Sequence, residues 1–172
     1  MMTFSRHLAV HEGFFTVLSR ALVRTLASLA IVLGLTAATA AADTAELDAL
    51  NKFAEQSDTV WNERDAAALA DLYAPDASLV IATRDVNLEG RDAIRDYFTL
   101  SFARVPTDFR HLTKPVKVTH LGDDYVLVDN AVTLYREADG PEKPVTRFFT
   151  LTLLLRNDGA YSMQAVRAVP LG

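Results

Sequence analysis

Apolar residues recur at steps of three and four in the part of the chain that follows residue 43, and this is the period of one face of an amphipathic helix. Asp43, with Glu46 three positions later, forms a capping signature at the start of the first run. Asp65 is placed to cap a second run, and Pro106 closes a third. The pattern predicts three helices, which cover residues 44–62, 66–73 and 94–105.

Runs rich in β-branched and aromatic residues lie between the second and third predicted helices and throughout the chain after Pro106. Turn residues separate the runs, and Asn-Asp-Gly at residues 157–159 is the strongest hairpin signal. Helices followed by a long antiparallel meander indicate an α+β fold in which the helices cover one face of a curved sheet. The predicted strands are, in chain order, about 77–82, 86–89, 111–121, 125–137, 145–156 and 160–169.

An uncharged, largely apolar segment precedes this domain. Residues 25–42 carry no charge, arginines outnumber acids before them, and small residues end them. This arrangement predicts a secretory signal peptide over residues 1–42, a mature domain over 43–172, and a periplasmic or secreted location. Cleavage after Ala40 and cleavage after Ala42 both fit the small-residue pattern at the end of the segment.

An uncleaved membrane anchor is the alternative interpretation of the same segment. Its strongly apolar part, residues 26–35, is about half of the roughly 20 residues that a spanning helix needs, which favours the cleaved signal. The segment before it is long, so a start codon downstream of Met1 also stays open. Contact with a membrane is therefore expected only through the leader, during export.

Composition excludes several classes of protein. The chain has 17 basic and 22 acidic residues, and its formal net charge of −5 is unlike the basic surface of a nucleic-acid binder. Residues 1–42 hold three arginines and one acid, so the remainder is more acidic still. The absence of cysteine excludes thiol catalysis, thiolate metal sites and disulfides. No phosphate loop, serine elbow or metal motif is present, so we expect neither a cofactor nor a metal.

Four short segments carry a resemblance to a known family. They are W-N-x-x-D at 61–65, L-Y-x-x-D-A at 72–77, G-R-x-A-I-R at 90–95, and Asp-Gly-Ala-Tyr at 158–161. Their order and spacing resemble the SgcJ/EcaC-type branch of the SnoaL-like, ketosteroid isomerase-like proteins, within the nuclear transport factor 2-like superfamily. This resemblance implies a cystatin-like fold, in which a cone-shaped, curved antiparallel sheet wraps around three N-terminal helices and encloses an apolar pocket. It implies no single activity, because this fold hosts isomerases, cyclases, hydrolases and dimerisation modules.

The resemblance also allows one activity, that of a ketosteroid isomerase-like enzyme, to be compared with the residues of this chain. A ketosteroid isomerase-like enzyme needs a carboxylate base on the first strand, and Ile81 stands at the matching position. The position of its donor tyrosine on the first helix falls near Ser57. Neither side chain serves that chemistry, so the isomerase mechanism does not carry over.

Aromatic residues on the predicted helices are candidate walls of the pocket, although aromatic stripes at helical spacing more often pack in a core. Three polar residues are candidate anchors for a ligand. Arg147 alternates with apolar residues along its strand, and a buried guanidinium needs an acid or a bound anion. By the same count Arg167 shares a face with Tyr161 and Met163, and Asn130 is an isolated polar group among valines. The candidate walls are Trp61, Tyr73, Tyr97, Phe98 and Phe102.

Asp58 and His111 are the candidate catalytic groups. Asp58 lies beside the apolar face of the first helix, as a pocket acid or as a solvated one. His111 begins a predicted strand, as a general base at the pocket rim or as a residue of the strand edge. His120 lies nine residues along that strand, about 30 Å away, so the two histidines cannot share a metal ion.

Three functions remain open from the sequence. The first is an exported module that binds a small, largely apolar and possibly anionic molecule. The second is a cofactor-free isomerase, cyclase or hydrolase that uses Asp58, His111 or a tyrosine. The third is a homodimeric interaction module with a filled cavity. A homodimer through the sheet face is expected in any case, because strands 111–169 are apolar on both alternations and the helices cover only one face.

Overall fold

The computed structural model describes residues 44–170. The predicted leader, its cleavage positions and the capping residue Asp43 therefore lie outside the described residues. The chain divides into two units, residues 1–47 and 48–172, and the fold that follows is that of the second unit. None of the helices within the described residues has the length and hydropathy of a membrane span.

The three predicted helices are present. They are α1 at residues 44–62, α2 at Ala66–Asp71 and α3 at Arg91–Phe102. The cap of α2 is confirmed, because the Asp65 carboxylate accepts a hydrogen bond of 2.9 Å from the Ala68 amide. The predicted end of α2 is wrong, since Pro75 does not follow the helix but lies inside the next strand.

One six-stranded sheet contains all the strands, in the order β2-β1-β6-β5-β4-β3. Strands β3 to β6 form the predicted antiparallel meander. The expectation of a wholly antiparallel sheet is wrong at one pair, since β1 runs parallel to β6. A parallel pair needs a long crossover connection, and α3 with the rest of the meander supplies it. The strands are β1 Tyr73–Ile81, β2 Val86–Glu89, β3 Phe109–Leu121, β4 Tyr125–Arg136, β5 Pro144–Asn157 and β6 Ala160–Pro170.

The inner face of the sheet packs against the helices and forms the core, which contains Ile94 of α3 and Val126 of β4. Register shifts interrupt the pairing of the strands and bend the sheet. In β6, Met163 pairs with Leu154 and Ala165 pairs with Leu153, so Gln164 has no counterpart on β5. This bulge reverses which side chains of β6 face inward, and the reversal moves a predicted site residue.

Candidate functional site

A cavity of about 520 Å³ lies between the helices and the inner face of the sheet. Trp61 of α1 and Tyr97 and Phe98 of α3 form its helical wall. Leu79 of β1 and Val128 of β4 belong to its sheet wall. This volume and this mostly apolar lining are typical of sites that hold small molecules.

Asp58 and His111, the two candidate catalytic residues, form a pair beside this cavity. The Asp58 carboxylate is 2.8 Å from Nδ1 of His111, and Asp58 is buried. His111 borders the cavity, and within the described residues the hydrogen bonds of its imidazole ring are made through Nδ1. The carboxylate therefore fixes the ring orientation and leaves Nε2 for another partner, which is the arrangement that lets an imidazole take and return a proton.

Two further residues hold this pair in place. Thr113 donates twice to the Asp58 carboxylate, from its amide at 2.6 Å and from its hydroxyl at 2.7 Å. The Asn62 side chain donates to the His111 carbonyl at 3.1 Å and accepts from the His111 amide at 2.7 Å. One turn of α1 is thus tied to the start of β3, and the bond between Asp58 and Nδ1 orients the imidazole relative to both elements.

Trp61 stacks on the imidazole of His111, with ring centroids 5.0 Å apart and planes 29° apart. Phe102 packs edge-on against the other side of Trp61, at 5.6 Å. Phe102 is 8% exposed and is not among the residues that border the cavity, so the expectation that it forms a wall is wrong. It supports the wall through its contact with Trp61, which does border the cavity.

Asn130 lies in the middle of the sheet wall, on β4, and only 7% of it is exposed. Its side-chain nitrogen is 3.3 Å from the hydroxyl of Thr150 and 3.2 Å from that of Thr152. Both threonines also border the cavity. A polar strip therefore crosses an otherwise apolar wall, as the isolated asparagine in the valine pattern predicts.

Tyr73 lies at the opposite end of the cavity from His111. It begins β1, pairs with Met163 of β6 and is 4% exposed. Burial raises the pKa of the Tyr73 hydroxyl well above its usual value, because the phenolate would lose its hydration. The group is therefore neutral at physiological pH.

The predicted arginine anchors occupy different places. Arg147 is exposed and borders the cavity, as does Arg84, so both lie at its rim. Arg147 shares the more apolar face of β5 with Phe149 and Leu151, and this face is the outer face of the sheet. Phe148, on the opposite face, borders the cavity. Alternation in the sequence cannot tell an outer apolar face from an inner one, so the expectation of a buried guanidinium at Arg147 is wrong.

Arg167 does not border the cavity, so its predicted role as an anchor there is wrong. It is exposed on the outer face and donates to the Ser78 hydroxyl at 3.1 Å. The bulge at Gln164 explains the difference, because it places Met163 and Val166 on the inner face and Arg167 on the outer one.

Thr113 and Asn62 are the functional residues that the sequence analysis missed. Thr113 shares a strand face with His111, two residues away, and Asn62 lies one helical turn after Asp58. These spacings point to a shared site only when α1 and β3 are already known to be in contact. Ile81 and Ser57, which match the base and donor positions of a ketosteroid isomerase-like enzyme, border the cavity. Neither side chain brings a carboxylate or a phenol to it.

Within residues 44–170, no group of three or more histidine or carboxylate side chains lies close enough together to hold a metal ion. The chemistry that the described side chains offer is acid–base exchange at His111, hydrogen bonding at Asn130 and Tyr73, and charge at the rim.

Comparisons with known proteins agree with this architecture. A model of the SnoaL-like domain family matches residues 54–159. No curated protein matches the chain.

Three solved structures illustrate the likeness. An NTF2-like protein with a cystatin-like fold from Novosphingobium aromaticivorans is 18% identical, with a TM-score of 0.64 over 80% of this chain and 90% of that one. A ketosteroid isomerase-like protein from Erwinia carotovora atroseptica is 20% identical, with a TM-score of 0.57 over 74% and 97%. A domain of unknown function with a cystatin-like fold from Nostoc punctiforme is 16% identical, with a TM-score of 0.64 over 75% and 79%. These identities show the fold alone, and no match singles out the SgcJ/EcaC-type branch.

Proposed function

Since the chain belongs to the SnoaL-like domain family, we propose that it binds a small, largely apolar molecule in its cavity after export. The observation that carries this proposal is the cavity itself, about 520 Å³ of space that aromatic and aliphatic side chains line. An interaction module with a filled cavity would lack that space. The polar strip around Asn130 supplies orientation, and Arg147 at the rim suits an anionic group on the outward end of the molecule.

Blocking the cavity tests this function. Ser57 of α1 borders the cavity, whereas the neighbouring Gln56 is exposed. We expect Ser57→Phe to weaken binding of the fluorescent apolar probe N-phenyl-1-naphthylamine at least about tenfold, since the added ring takes up space that the probe needs. Gln56→Phe is the matched control and should leave the affinity unchanged. Equal affinities for both variants and the wild type, measured by probe fluorescence, would place the probe elsewhere.

A specific observation favours catalysis as a second function. Asp58 orients the imidazole of His111 at the edge of an apolar cavity, Trp61 stacks on that imidazole, and Asn62 bonds the His111 backbone. We propose that this pair moves a proton on the bound molecule, with His111 as the acid–base group and Asp58 as its positioning residue. No metal or organic cofactor is needed for such a step.

We further propose that two copies of the chain pair through the outer face of the sheet. Val145, Phe149, Leu151 and Val169 are 37–49% exposed on this face. Leu151 lies in register between Asp129 of β4 and Arg167 of β6. A two-fold axis parallel to β5 above Leu151 sets each Asp129 opposite Arg167 of the second copy, so the charges complement one another across the apolar patch.

Leu151→Glu is expected to convert the dimer to a monomer, because pairing would bury two like charges at the centre of the interface. The matched control is Leu100→Glu, at a position on α3 that is 61% exposed. That variant should remain a dimer. Native mass spectrometry of the protein recovered from its own compartment measures the subunit number, and the same masses show whether residues 1–42 have been removed. A monomeric wild type would rule out this interface.

A further inference from the structure

The hydroxyl of Tyr73 is a buried polar group without a protein partner. None of the hydrogen bonds among the described residues involves it. Every side-chain nitrogen or oxygen of those residues that is closed off from open space does have a partner. The Tyr73 hydroxyl must therefore border open space, and Tyr73, which is 4% exposed, borders the cavity.

The residues in register with Tyr73 are apolar. Tyr73 pairs with Met163, which pairs in turn with Leu154, and both of these neighbours border the cavity. The register continues from Leu154 to Val126 of β4. We use the term cavity floor for Tyr73, Leu154 and Met163. Among these three residues Tyr73 supplies the polar group, and the other two side chains are apolar.

The two arginines and the histidine that border the cavity lie away from its floor. Arg84 and Arg147 are exposed at the rim. His111 pairs with Leu134 of β4. Leu134 lies eight residues along β4 from Val126, and eight residues of extended strand span roughly 26 Å. A ligand end that reaches the floor therefore meets a neutral donor and no counter-ion, so a charged group there would lose its hydration without compensation.

We propose that the molecule bound in the cavity carries an uncharged oxygen acceptor, a ketone or ester carbonyl, on its inner end, and that the Tyr73 hydroxyl donates a hydrogen bond to it. This inference rests on the proposed binding function and adds the chemical class and the orientation of the ligand. A buried phenol is a better donor than acceptor, and burial keeps it protonated. An anionic group, where the ligand has one, faces outward to Arg147.

Two probes of nearly equal shape test the proposal, 2-acetylnaphthalene and 2-isopropylnaphthalene, which differ in having a carbonyl or a methine with a methyl group. Their affinities are measured by displacement of N-phenyl-1-naphthylamine from the full domain. We expect Tyr73→Phe to weaken 2-acetylnaphthalene roughly 3- to 10-fold, the worth of one neutral hydrogen bond, and to leave 2-isopropylnaphthalene unchanged. Tyr125→Phe, which removes the hydroxyl of a tyrosine that is 36% exposed and does not border the cavity, is the matched control and should leave both affinities unchanged.

The outcomes separate this inference from the function on which it rests. A selective loss for the ketone in Tyr73→Phe supports the inference. Equal effects on both probes, or no effect on either, overturn it and leave binding in the cavity intact. Failure of both probes and of the fluorescent reporter to bind the wild type would instead overturn the binding function itself.

Discussion

Replacing His111 with glutamine is expected to slow proton exchange catalysed by the protein about 100-fold or more, the usual worth of a positioned acid–base group. The probe is 2,6-diacetylnaphthalene, which presents a methyl ketone at each end, so one end can lie near His111 whichever end enters first. Deuterium from heavy water replaces its methyl protons when a base removes them, and proton NMR measures the rate. Glutamine keeps a hydrogen-bonding side chain of similar length, but its amide cannot accept and return a proton at neutral pH.

His120→Gln is the matched control for this experiment. His120 is exposed near the far end of β3 and does not border the cavity, so its replacement should leave the rate unchanged. An exchange rate with wild-type protein no higher than that with an equal concentration of free imidazole would contradict the catalytic proposal. So would equal rates for wild type and His111→Gln.

Asp58→Ala is expected to lower the free energy of unfolding by about 3 kcal/mol. The variant removes a buried carboxylate that accepts hydrogen bonds from the His111 imidazole and from the amide and hydroxyl of Thr113. The Thr113 amide then has no partner in a part-buried position, and an unsatisfied group of this kind costs about 1–3 kcal/mol in addition to the lost charged bonds. Urea denaturation followed by the fluorescence of Trp61, the single tryptophan of the chain, measures the change.

Asp71→Ala provides the comparison for this measurement. The Asp71 side chain is 75% exposed and lies 3.7 Å from Arg91, so its removal should change the free energy of unfolding by less than about 0.5 kcal/mol. A loss below about 1 kcal/mol for Asp58→Ala would mean that the Asp58–Thr113 bonds do not stabilise the fold.

Local patterns predict most of the secondary structure. The three-and-four period places α1 and α3, and the Asp65 cap is as expected, because these signals depend on residues within one or two turns of each other. The end of α2 is harder to predict. Leu72 and Tyr73 look equally helical in the sequence, yet Tyr73 pairs with Met163, a partner ninety residues away that no local window contains.

The same distinction between local patterns and distant contacts applies to the residues of the candidate site. Trp61 and Asn130 were singled out from periodicity, and the structure places both at the cavity. Arg167 faces outward because a single unpaired residue, Gln164, shifts the alternation of inward and outward side chains along β6. The contact between Asp58 and His111 joins α1 to β3 across 53 positions of sequence, and only the packing of the helix on the sheet reveals it.

The place of β6 in the sheet has a consequence for the order of assembly. This strand is the last along the described chain, yet it lies between β1 and β5 and is the sole link between the β2-β1 pair and the meander. The edge of β1 that pairs with β6 therefore stays unpaired until β6 has been synthesised, and the sheet closes only afterwards. Such closure over a long stretch of chain is slow, which gives any chaperone or protease time to act on the unfinished molecule.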